Sequence, residues 1–285
     1  MDPETRSATK VNAPTTQIRT LYSPIQLAFK YIGYYLFSDN GKGHGTHSPF
    51  VYAFITRVLN DRNTYSCYTE IEARRKALLR DERVIEVDDF GAGSGALKSK
   101  RRKVANIARH SLKPRKYAQL LFRIVQYYRP ASILELGTSL GVTTAYLACG
   151  NEAATVYTAE GSPAIAGIAE EGFNRLGIKN IRCVTGNFSD TLPELLSTGL
   201  QPDMCFIDGN HRKAPTLDYF SMLLPLMKPD SFMVFDDIHW SRDMEEAWEE
   251  IRSHERVKLS IDLFFIGLVF FNPDVREKQH FRIRY

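Results

Sequence analysis

No stretch of this sequence reaches the roughly 18 consecutive apolar residues that cross a bilayer. The nearest, IQLAFKYIGYYLF at 25–37, is too short and is interrupted by Lys30. Cysteine is scarce. Cys67, Cys149, Cys183 and Cys205 stand far apart and form no CxxC pair. That spacing argues against a disulfide framework or a zinc–thiolate site and fits a reducing compartment. The first residues, MDPETRSATKVNAPTTQ, lack the apolar core of a secretory signal, which sets the expectation of a cytoplasmic protein. Internal repeats and long low-complexity tracts are missing too, so solenoids and propellers are set aside.

What is present is ordinary for a globular protein of 285 residues, with 44% apolar and 25% charged residues. The net charge of +4 hides an asymmetry. Residues 1–116 carry 21 Lys and Arg against 11 Asp and Glu; residues 117–285 carry 16 against 22. A basic front half could meet an anionic substrate, a nucleic acid or the acidic back half.

The chain divides into three regions by pattern. Residues 1–20 are polar and aperiodic, a tail. Residues 21–110 read as an N-terminal helical cap or lid, with helices over 25–37, after Ser48-Pro49, and over TEIEARRKALLRD. From 111 to 285, short Ile/Val/Leu-rich strands alternate with helices: SILEL, TVYTA, IRCVT, DMCFI and FMVF are the strands. Two runs, VKLSI and FFIGLVFF, make a terminal hairpin. Strict alternation predicts an α/β fold: a Rossmann-like, seven-stranded, mostly parallel sheet with an antiparallel hairpin strand at its C-terminal end.

Two glycine-rich turns compete for the role of cofactor loop. ELGTSLGVTTAYLA follows a strand, opens into a helix, and is followed by a second strand ending in Glu160. A carboxylate there is placed to bond a ribose. DDFGAGSGALKSKRRK, at 88–103, runs instead into a cationic stretch. The first of these is the cofactor loop. Its Gly137-x-x-x-Gly141 spacing, with Glu135 just ahead, differs from the G-x-G-x-x-G of a dinucleotide site and suits a cationic ligand.

These features resemble the class I S-adenosylmethionine-dependent methyltransferases over 111–271. The likeness rests on ELGTSLG, Glu160, GNFSD after the third strand, FIDGNH after the fourth, and KPDSFMVFDDIHW into the fifth. It implies S-adenosylmethionine as cofactor. Glu135, Gly137, Thr138 and Gly141 would line its methionine part, and Glu160 would take the ribose hydroxyls. Asn187 and Phe188 would sit at the adenine, with Ser139, Gly161 and Asp208 in the same binding set.

Asp208, Asp236 and Asp237 stand at neighbouring strand ends, where three carboxylates suit a hard cation such as Mg²⁺ or Mn²⁺. FIDGNH and FDDIHW are similar to the catechol and caffeoyl-CoA O-methyltransferases, in which an Asp and an Asp-Asn pair hold the metal. Here the pair is Asp-Asp, and His211 stands where that group has a catalytic lysine. His211 and Asp208 are therefore the catalytic candidates, with His211 a competent base near neutral pH. The plainer alternative is that Asp208 orders the cofactor and Asp236-Asp237 cap the next helix.

The expected acceptor is a small molecule, anionic if the basic front half meets it, methylated on oxygen. The missing D/N-P-P-Y tetrapeptide counts against adenine N6. RNA methylation through Lys98, Lys100, Arg101, Arg102 and Lys103 is the weaker alternative, because no stacking aromatics accompany them. A binding protein without turnover is another, and a homodimer is compatible with the sequence. The N-terminal HGTHSPF segment resembles an uncharacterised bacterial group of methyltransferases. His44, His47, Gly91, Gly93 and Gly95 would form a lid over the site.

Overall fold

A computed structural model describes residues 21–43, 48–87, 100–273, 275 and 277–285. His44, His47 and the glycines of 88–99 lie outside them, as does the tail.

The strands run β1 (Val84–Glu86), β2 (Arg101–Lys103), β3 (Ser132–Leu136), β4 (Thr155–Glu160), β5 (Ile181–Thr185), β6 (Met204–Ile207), β7 (Phe232–Asp236), β8 (Leu259–Asp262), β9 (Ile266–Phe270) and β10 (Gln279–Arg282). The last eight form one sheet in the order β10-β8-β9-β7-β6-β3-β4-β5. From β7 to β5 all neighbours are parallel. β9 runs antiparallel to both β7 and β8, as the terminal hairpin requires. The expected seven strands undercount by one. β10, sequence QHFR, pairs parallel to β8 at the sheet edge. Its half-exposed polar and apolar residues give no hydrophobic run to read.

Side chains alternate between the faces of each central strand, and each face is covered. Ile133, Val156, Phe206, Val234 and Leu268 pack on one side against Leu120, Leu121 and Ile124 of α5 (Arg115–Tyr128). Leu134, Leu136, Cys205, Ile207, Met233 and Phe235 pack on the other against Leu192, Phe220, Trp248 and Ile251. Those last four come from α8 (Phe188–Ser197), α9 (Lys213–Leu223) and α10 (Arg242–Ser253). Burial on both faces explains why these strands read as continuous apolar runs.

The N-terminal region does not stand apart. Ser48 caps α2 (Pro49–Phe54), and a π-helical turn, Ile55–Leu59, continues it. Val51, Phe54, Ile55 and Val58, all fully buried, belong to the same core as the sheet. α3 (Ser66–Leu78) and α4 (Val104–Ser111) pack over α6 (Val142–Gly150) in a third cluster containing Tyr68, Ile71, Val104 and Tyr146. α1 (Pro24–Phe37) docks through Tyr31 and Tyr34, packed on Phe264, and through Lys30, which meets Glu245 at 2.9 Å; Tyr22, just before the helix, donates to Glu245 at 2.6 Å. Glu245 in turn meets His239 at 3.0 Å, and His239 meets Asp262 at 2.9 Å, so His239 has a structural role.

From the cationic run, Arg101–Lys103 form β2, paired antiparallel with β1, and Lys103 meets Glu82 at 2.6 Å.

Candidate active site

In an open parallel sheet the crevice lies at the carboxyl ends of the strands, where the connections change direction. Here that point is between β3 and β6, because β3 connects onward to β4 on one side while β6 lies on its other side. A cleft of about 430 Å³ opens there, within the usual size of a small-ligand site. Gly137, Ser139, Glu160, Gly161, Asn187, Phe188, Asp208, His211, Asp236 and Asp237 all line it.

The wall above β3 and β4 is built from backbone. Glu160, the last residue of β4, accepts the Ser139 N–H at 2.8 Å and the Ser162 N–H at 3.0 Å. Burial pushes its pKa up, and the backbone donors of Ser162, Ser139 and Gly161 oppose that. Its carboxylate retains lone pairs for a pair of ligand hydroxyls. Asn187 caps α8 by accepting the Ser189 N–H at 3.2 Å. It thereby presents Phe188 to the cleft, opposite Ile165 of α7 (Pro163–Arg175). A carboxylate with free lone pairs beside an apolar wall would fit a nucleoside.

Three residues expected at the cofactor lie beneath this wall. Glu135 is fully buried and accepts the hydroxyls of Thr144 and Thr158, each at 2.6 Å. The Thr138 hydroxyl meets that of Thr158 at 2.5 Å. These bonds clamp β3 to β4 and α6, so Glu135 and Thr138 hold the loop's shape without lining the cleft. Burial pushes the Glu135 carboxyl up to about 7, with the two threonine hydroxyls pulling the other way. Gly141 caps α6 at φ 78°, and a Cβ there would come within 2.7 Å of the Phe173 ring. Its glycine requirement is a packing one.

The opposite wall is ionic. Lys113, which precedes Pro114 at the start of α5, sends its side chain across the ends of β6 and β7 and is only 7% exposed there. Its Nζ lies 3.2 Å from Asp208 Oδ2 and also meets Asp236 Oδ2. His211 sits between two carboxylates, Nε2 3.6 Å from Asp208 Oδ1 and Nδ1 3.9 Å from Asp237 Oδ2. Burial works against the Lys113 ammonium, but Asp208 and Asp236 outweigh it and keep it charged. Burial would also raise Asp236, yet the Lys113 charge holds it below the usual carboxylate range. Burial and the Asp236 charge push Asp208 well up, and the same causes push Asp237 up to about 6.

Four residues at the cleft rim have left-handed backbones without being glycine: Ser139 (φ 48°), Asn210 (71°), His211 (34°) and Asp237 (53°). Such conformations persist only where surrounding structure enforces them, and they gather at functional sites. Asn210 is tied down by donating to the Tyr219 hydroxyl at 2.8 Å.

Of the expected metal set, Asp208 and Asp236 come together, with His211 in place of Asp237. One ligand atom each from Asp208, His211 and Asp236 lies within 4.8 Å of the others, so the spacing alone would admit an ion. Asp208 and Asp236, however, already share a cation, the Lys113 ammonium. Lys113 therefore competes with any divalent ion for this donor set. Asp237 faces His211. Lys113 is the functional residue that sequence reasoning passed over; only the need of three clustered carboxylates for a counter-charge could have prompted a search for it. Arg102 and His110 also line the cleft, brought there by β2 and α4.

Comparison with known proteins agrees with this architecture. Residues 134–238 match the family described as Methyltransferase domain. No curated protein sequence matches the chain. Among solved structures, an O-methyltransferase from Bacillus cereus in complex with SAH is similar at TM-score 0.52 and 23% identity, covering 78% of this chain and 97% of that one. The SAH-bound methyltransferase PaMTH1 of Podospora anserina is similar at TM-score 0.54 and 13% identity, over 79% and 96%. The O-methyltransferase TomG of Streptomyces achromogenes, in complex with SAM, is similar at 0.51 and 17%, over 76% and 93%.

Proposed function

We infer, for a chain that carries a methyltransferase domain on the class I fold, that it transfers a methyl group from S-adenosylmethionine to an oxygen of a small molecule. The observation that carries this reading is the pairing within one cleft of the Glu160–Ser139 wall with His211 between two carboxylates. S-adenosylmethionine, when bound, supplies an electrophilic methyl on a sulfonium.

The chain's own residues supply the rest. Glu160 accepts the ribose hydroxyls, while Phe188 and Ile165 give the adenine an apolar wall. A hydroxyl is a weak nucleophile until it loses its proton. His211 takes that proton on a ring nitrogen, and the Asp237 carboxylate beside it stabilises the imidazolium that results. The remainder is positioning, since holding two reactants in line removes much of the entropic barrier. A cleft of about 430 Å³ that must hold both ligands limits the acceptor to a small molecule.

The test is calorimetry with S-adenosylmethionine and, as comparator, NAD. It is followed by transfer of labelled methyl to panels of hydroxylated acids, amines and RNA. Binding of the first cofactor alone and labelled methyl ethers or esters as products are expected. Preferential binding of NAD, or label confined to RNA or amines, would refute the reading.

A further inference from the structure

Lys113 has no part in the proton transfer just described, yet it is among the most constrained side chains of the site. Its backbone is fixed from outside: Arg75, anchored by Glu72 at 3.0 Å, donates to the Lys113 carbonyl at 2.7 Å. From there the side chain spans to Asp208 Oδ2 at 3.2 Å and to Asp236 Oδ2. It passes with its Nζ 5.5 Å from the centre of the Phe206 ring. Asp236 itself is 5% exposed. Two aspartates at adjacent strand ends, one of them almost sealed from water, would repel each other without a cation between them.

We propose that the Lys113 ammonium is the resident cation of this carboxylate cluster, standing where a divalent ion would otherwise bridge Asp208 and Asp236. The methyl transfer then needs no metal. This rests on the function inferred above, and it narrows the acceptor. A divalent ion with open coordination positions can bind two neighbouring oxygens of a vicinal diol. A lysine ammonium whose protons are committed to two aspartates offers no such positions. The site therefore suits an acceptor with one hydroxyl to be methylated and does not require a chelating pair. Lys113 is a positioning residue: it pins Asp208 so that the other oxygen of that carboxylate faces His211.

The experiment uses the full chain, treated with EDTA and desalted, and Mn²⁺ alone as probe, followed by electron paramagnetic resonance and thermal shift. Wild type and Lys113→Arg should show no saturable Mn²⁺ binding and no stabilisation. Lys113→Met should gain saturable binding that the double variant Lys113→Met/Asp236→Asn loses. Saturable Mn²⁺ binding by wild type that Asp236→Asn abolishes would overturn the proposal. So would a folded Lys113→Met that gains none. If Lys113→Met does not fold, the wild-type and Lys113→Arg titrations still decide. S-adenosylmethionine calorimetry on the same samples is a separate arm. Its failure would sink the function inferred above and leave the Mn²⁺ result intact.

Discussion

A Cβ placed on Gly137 would collide with the backbone carbonyl oxygen of Asp208. The turn after β3 and the end of β6 are thus packed backbone to backbone, and Gly137 holds φ at 111°, outside the range side chains adopt easily. The resemblance set Gly137 against the methionine part of the cofactor, where a side chain would meet the ligand. The structure shows that it would intrude on the protein. Gly137→Ala should therefore lower stability by about 2–4 kcal/mol through strain and overpacking, measurable by urea denaturation without any ligand. An unchanged midpoint together with lost cofactor binding would restore the simpler view.

Glu160 both faces the ligand and holds the loop through Ser139. Glu160→Ala should weaken S-adenosylmethionine binding about 10- to 100-fold, as expected for losing hydrogen bonds to a charged acceptor worth about 1.5–3 kcal/mol. Calorimetry on the folded variant reads this directly. A dissociation constant within error of wild type would remove Glu160 from the site.

His211→Gln separates chemistry from binding. Losing a general base should lower kcat by about 10²- to 10⁴-fold, while the cofactor dissociation constant stays unchanged. Equal losses in binding and turnover would mean that His211 shapes the cleft and does not take the proton.

Glu135 makes a prediction about pH. Its carboxyl titrates at about 7 in the folded protein, against 4.5 as the ordinary value, chiefly because it is buried. Between those values the folded state holds a proton that the unfolded state has lost. The contribution is full below pH 4.5 and is lost as pH rises through 7, about 3 kcal/mol in all. Glu135→Gln keeps an acceptor for Thr144 and Thr158 and cannot ionise. Its stability should fall less than that of wild type between pH 5 and 8 in parallel thermal melts. Parallel slopes would show that Glu135 is already ionised in the fold.

Much of the frame was legible because it is local. Ser48 before Pro49 marks the start of α2, Gly177 at φ 69° follows α7, and the five apolar runs became β3 to β7. Glu160 and Asn187 stand where they do because a strand end and a helix cap fix their direction within a few residues. β10 was missed because QHFR is an edge strand with no buried row.

By itself the sequence determined the alternation of strand and helix, the covered faces of the sheet, and the placing of Asp208, Asp236 and Asp237 at strand ends. Each follows from periodicity or from a turn, which a few neighbouring residues settle. Only the tertiary structure decided what neutralises those aspartates. Lys113 is 95 or more residues away in the chain from both of its partners, and nothing in the run SLKPRKYAQLL distinguishes it from Lys116 three positions on. The sheet order brings the end of β6 beside the end of β7 and lays the start of α5 across both. An ion pair is a matter of distance in space, and the burial that makes it matter is a property of the packed core.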